Sequence, residues 1–142
     1  MGAAEQSEFD GYRERFVEQI EVARESRSEE RLAEVLSAIS QAATEHLERR
    51  SATISPADEG TVVTVEAWAS VHSYAIARFY YEGPESLFRK GGYSERVTAE
   101  LQRAVDTFSS YLRGAVGVTG ASAFSISVGF PFGVSIALEW DA

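Results

Sequence analysis

The last twenty residues carry the sharpest pattern in the chain. Phe124, Ile126, Val128 and Phe130 alternate with Ser125, Ser127 and Gly129, and Val134, Ile136, Leu138 and Trp140 alternate with Ser135, Ala137 and Glu139. A period of two puts every apolar residue of a strand on one face, so the pattern predicts antiparallel strands at 123–130 and 134–140. Between them Pro131 fixes φ for the first turn position, and Gly133 is free to take φ above zero, which suits a type I turn closed by a G1 bulge. A three-residue loop, Pro131 to Gly133, pairs Phe130 with Val134, Val128 with Ile136, Ile126 with Leu138 and Phe124 with Trp140. A loop of two or four residues would set each apolar residue opposite a polar one. Eight large apolar side chains share the resulting face. At about 1.5–3 kcal/mol each when fully buried, leaving them in water would forfeit about 12–24 kcal/mol, more than a typical domain's net stability. Something must cover that face.

Upstream the spacing turns helical. Phe9, Tyr12, Phe16, Ile20 and Ala23 recur every three or four residues behind Ser7, predicting a helix over 7–25. Leu32, Val35, Leu36, Ile39, Ala43, His46 and Leu47 do so for four turns, with Ser26 or Ser28 as N-cap and Glu29 and Glu30 in the first turn, predicting 28–50. The short joint at 25–28 makes these two helices antiparallel neighbours. Ser94 caps a further helix over 95–113, whose buried stripe is Val97, Leu101, Ala104, Val105, Phe108 and Leu112. Three glycines in 114–122 read as a linker to the hairpin.

The segment from Ser51 to Glu82 fits both periods. As a helix, Val65, Trp68, Ala69, His72, Ile76 and Phe79 share one face, and its alanines favour the helical state. As a strand, the odd positions from Val63 to Phe79 align, behind the β-branched run Thr61 to Val65. A helix over 65–82 is the favoured reading, with room for 61–65 to be extended and with Gly83 and Pro84 as its stop. The expected fold is α+β and mainly helical, one domain over 1–142, with four helices and the hairpin packed across them.

Composition narrows the chemistry. The 142 residues include no cysteine, which excludes disulfides, thiolate zinc sites and a cysteine nucleophile. The net charge is −9, and 14 of the 22 acids fall in residues 1–60 against 7 bases, so no clustered basic surface exists to hold nucleic acid. No apolar run approaches the roughly 18 residues of a membrane span, and the early residues Glu5, Glu8, Asp10, Glu14 and Glu18 are unlike a signal peptide. A cytoplasmic protein without a membrane segment is the expectation. Strands of about seven residues also fall short of the nine to eleven of a membrane barrel.

Candidate sites are sparse. His46 and His72, the only histidines, both sit on apolar stripes, where a packed side chain is the ordinary role. Glu45, His46 and Glu48 lack the Glu-x-x-His spacing of di-iron bundles, and Ser109 and Ser110 have no recognisable triad partners. Ser94 at a helix start, near Arg89, Lys90, Gly91 and Gly92, is a place where free N–H groups would hold an anion. The aromatic segment 68–81, with His72, Tyr74 and Arg78, would line a small-molecule pocket if its side chains converged. Neither a metal nor a cofactor is expected. The acidic front helices admit a third role, mimicry of nucleic acid toward a basic partner.

The main expectation is a non-enzymatic interaction or self-assembly module. Its contact surface would be the hairpin: Phe124, Ile126, Val128, Phe130, Phe132, Val134, Ile136, Leu138 and Trp140. A two-stranded sheet leaves two open edges. They would be closed by a strand at 61–65, by a second copy, or by another protein.

Overall fold

A computed structural model describes residues 3–53, 59–80, 93–119, 123–129 and 133–139, with side chains at 9–49, 62–80, 93–113, 126, 133, 134, 136 and 137. Four helices and two strands occupy them: α1 (Ala3–Ser26), α2 (Glu29–Thr53), α3 (Glu59–Tyr80), α4 (Glu95–Thr119), β1 (Ala123–Gly129) and β2 (Gly133–Glu139). The mainly helical α+β fold is the one the pattern predicts. The proposed stop at Gly83 and Pro84 lies outside the described residues.

The joint between α1 and α2 is built by the backbone. Arg27 takes φ of 54°, and the amides of Arg27 and Ser28 reach back to the carbonyls of Arg24 and Ala23. This is a Schellman motif with arginine in the left-handed position that glycine usually fills. Ser28 then caps α2, its Oγ accepting from the Arg31 amide at 3.2 Å. Two residues thus reverse the chain, and α2 returns along α1.

Cross-helix pairs set the remaining directions. Glu30, Ser37 and Thr44 of α2 meet Arg96, Arg103 and Tyr111 of α4, so the partners advance the same way along both helices, by two turns at a time, and the helices lie parallel. Helix α3 runs antiparallel to both. Trp68 near its start meets His46 late in α2, and Tyr80 at its end meets Glu29 and Tyr93 at the starts of α2 and α4. Helices α2 and α3 form the spine, with α1 packed on both and α4 packed on both.

The stripes become the core. Leu32, Leu36, Ile39, Ala43 and Leu47 of α2, Val97, Ala104, Phe108 and Leu112 of α4, and Val65, Trp68, Ala75 and Ile76 of α3 have no exposed surface. Trp68 is a node: Phe9, Tyr12 and Phe16 of α1 ring it at centroid distances of 5.2–6.2 Å. Edge and tilted contacts of that kind add to the stabilisation from burial.

Several expected boundaries move, among them the start of α1, at Ala3 and not residue 7, and the end of α2, at Thr53 and not residue 50. Residues 61–65 are helical, not extended: Val62, Thr64 and Val65 are buried while Val63 is 50 % exposed, a pattern that winds with the helix. Packing on the neighbouring helices overrides the β-branched propensity of that run. The expected linker is also helical as far as Thr119. Gly114 and Gly117 cost about 1 kcal/mol each relative to alanine in a helix interior, which is tolerable in a helix of 25 residues.

The hairpin forms with a corrected register. Gly129 pairs with Gly133, Val128 with Val134, Ile126 with Ile136 and Phe124 with Leu138, two residues away from the expected pairing. Phe130, Pro131, Phe132 and Trp140 lie outside the described residues, and the three positions between the paired glycines are 130–132. A slide of two leaves every apolar residue on the same face, so the pattern alone does not distinguish the two registers. Contact with α3 does. Gly133 has φ of 82°, and a Cβ added there would stand 3.2 Å from Ile76 Cγ1 and 3.3 Å from the Ser73 Cα. The Ser73 hydroxyl donates to the Val134 carbonyl beside it. Val134 is buried, while Ile126 and Ile136 pack against the core at its margin.

Gly133→Ala therefore meets both a strained backbone and a closed space. It should lower unfolding stability in urea by about 1–3 kcal/mol, with the largest loss of protection in the hairpin amides.

Candidate functional site

The histidine, tyrosine and arginine of the aromatic segment do not converge. His72 is fully buried in α3, edge-on to the Phe108 ring of α4 at 6.5 Å. Neither of its ring nitrogens has a hydrogen-bond partner, and burial lowers its pKa from 6.5 to about 4. Tyr74 is 41 % exposed and faces α1, beside Arg13 and Glu14. Arg78 is held in a two-pronged bond by Glu21 of α1, with contacts of 2.6 and 3.2 Å. That pairing, chiefly its hydrogen bond, lowers the Glu21 pKa and raises that of Arg78. Helix geometry explains the dispersal. At about 100° per residue, Tyr74 and Arg78 point roughly 200° and 240° away from His72.

His46 is likewise sealed, its Nδ1 accepting from the Trp68 indole at 3.1 Å. An indole N–H taken into the core needs such an acceptor. Among the described residues no three His, Asp or Glu side chains stand close enough to hold a metal ion.

The anion position at the start of α4 is filled from within. Ser94 caps the helix, its Oγ accepting from the Val97 amide at 3.2 Å. The Ser94 amide itself donates to Glu29 Oε2 at 3.0 Å, and the Tyr80 hydroxyl donates to the same oxygen at 2.6 Å. Burial first, and then the bond to Glu29, push the Tyr80 pKa far above its ordinary range. The free N–H groups expected to bind a ligand serve instead to join α2, α3 and α4. Arg89 and Lys90 lie outside the described residues. In the sequence Glu29 carries only a first-turn charge signal, and nothing marks it as the partner of an amide 65 residues away.

A groove of about 700 Å³ runs between α1 and α3, lined by Asp10, Arg13, Glu14, Val17, Glu18 and Tyr74. It is a surface furrow of mixed charge.

The hairpin remains. Strand β2 packs on α3 and α4, and β1 packs on α4, so the bundle takes up the described part of the hairpin's apolar face. Val134, Ile126 and Ile136, expected at an interface, are spent inside the chain. The side chains of Phe124, Val128 and Leu138 are not among those described. Since 61–65 is helical, the third strand expected there does not form. Among the described residues the sheet has two strands in the order β1-β2, and neither has a second strand neighbour. The contacts that seat it, Ser73 and Tyr93 around Gly133, had no signal in the sequence. Tyr93 owes part of its pKa balance to the Gly133 backbone, set against the larger upward push of burial.

No family model, curated protein or solved structure matches the chain.

His72 gives this fold a pH dependence with a fixed sign. The unfolded chain protonates near 6.5 and the folded chain only near 4. Stability is therefore full above 6.5, falls as the pH drops through that window, and levels off below it. The loss totals about 3 kcal/mol at about 1.4 kcal/mol per unit. Glu21, with its lowered pKa, loses its contribution only below 4.5. Urea titrations at pH 7.5 and 5 should show the slope in the native chain and its flattening in His72→Leu; an unchanged slope would refute the assignment.

Proposed function

We propose that this chain is a non-enzymatic self-assembly and protein-interaction module that works through the outer edge of its C-terminal hairpin. One observation carries the reading: the hairpin packs on its own helices through Val134, Ile126 and Ile136, while neither strand has a second strand neighbour among the described residues. A docked, pre-ordered strand with unpaired N–H and C=O groups is the template that β-augmentation uses, because the incoming chain gains backbone bonds without ordering its host.

The composition of the edge supports it. β1 reads Ala-Phe-Ser-Ile-Ser-Val-Gly, with neither a charge nor a proline, the two devices that commonly block an edge. The competing reading, a small molecule held by His72, Tyr74 and Arg78, is disfavoured because His72 is sealed in the core while Tyr74 is exposed on another side of α3. No helix among the described residues is long and apolar enough to cross a membrane, which accords with our placing the module in the cytoplasm.

Light scattering coupled to size exclusion tests the proposal. The mass should exceed the 15.5 kDa of one chain and rise with concentration. Ser125→Lys with Ser127→Lys should return it to one chain with helical content unchanged. A constant single-chain mass across two decades of concentration would refute self-assembly.

A further inference from the structure

We infer that the occupant of the edge is a second copy of this chain, paired through β1, antiparallel, about a two-fold axis that passes beside Ile126. The inference rests on the assembly reading above and gives it a partner, a strand and a register.

The two edges are not equivalent. On β2 the Val134 carbonyl is already bonded by Ser73, and Gly133 is pressed onto the backbone of α3. A strand arriving there would meet a backbone committed to the bundle. β1 makes its main contacts with α4 and with β2.

The sequence of β1 also has the symmetry such a contact demands. A two-fold, isologous contact requires the same patch on both copies, so each residue must suit the one equally far on the other side of the axis. About Ile126, Ser125 falls opposite Ser127 of the second copy, Phe124 opposite Val128, Ala123 opposite Gly129, and Ile126 opposite itself. Every pair joins like with like: hydroxyl to hydroxyl, large apolar to large apolar, small to small. All seven residues of the strand are used. Shifting the register by one would set serines against apolar residues and turn the sheet faces over relative to each other. β2 is a poorer match, since a centre at Ile136 puts Gly133 opposite Glu139 and Ser135 opposite Ala137.

The faces agree as well. Ile126 pairs with Ile136, and both pack on the core, whereas Ser125 pairs with Ala137, which is exposed. A two-fold normal to the sheet keeps both apolar faces on one side. The product is a four-stranded sheet, β2-β1-β1-β2, with both helical layers beneath it.

The absence of cysteine makes the register directly readable. Ser125→Cys and Ser127→Cys chains, one carrying a size tag, are mixed and mildly oxidised. Directly opposite positions bring Cβ atoms to about 4.5–5.5 Å, whereas diagonal ones lie about 7–8 Å apart, out of disulfide reach. The covalent mixed dimer should form on the order of tenfold more than a dimer of either variant alone. A parallel mixture of Ser135→Cys and Ala137→Cys probes the β2 edge. If the native chain dimerises but cross-links only in the β2 mixture, or in neither, this register is overturned while the assembly reading stands. A native chain that stays single in light scattering overturns both.

Discussion

The approach of Gly133 to α3 is the constraint on which the rest of the structure turns. The β2 backbone comes so close to Ser73 and Ile76 that a Cβ at Gly133 would stand only 3.2–3.3 Å from them. That closeness fixes where the hairpin lies, which residues pair across it, and which edge is left open. The serine hydroxyl on the Val134 carbonyl secures the same point, and Tyr93 brings the start of α4 to it. A hairpin of two short strands is marginal by itself. Seated here, it becomes part of the core.

The helices provide that seat through contacts of long sequence separation. Glu29 gathers the end of α3 and the start of α4 around one carboxylate oxygen. Trp68 and His46 join the far ends of α2 and α3. Between these two knots α2 and α4 pair in parallel, two turns at a time. Polar groups in the bundle are thus mostly used to fix direction. His72 departs from that pattern, a buried imidazole with neither nitrogen bonded, which makes the fold sensitive to acid without giving it a proton-transfer partner.

The long helical stripes were legible because packing demands the same residues that periodicity displays. Each of Leu32, Val35, Leu36, Ile39, Ala43, His46 and Leu47 is buried. The start of α3 was ambiguous because alternating and helical spacing coincide there, and only neighbours in space decide between them. The hairpin's parity was legible, its register was not. A period of two is unchanged by a slide of two, and the glycine contact that selects the register involves a residue 60 positions upstream, Ser73. The candidate pocket failed for a reason already present in the numbering: residues 72, 74 and 78 of one helix do not face one way. The open edge was foreseen, and the reason 61–65 does not close it was not.

The most direct measurement is residue-resolved hydrogen exchange at two protein concentrations. The account predicts that β2 amides open with the same free energy as those of α3 at both concentrations, and that protection in β1 rises at the higher one while the helices do not change. Hairpin amides that exchange far faster than the helices, with no response to concentration, would contradict it.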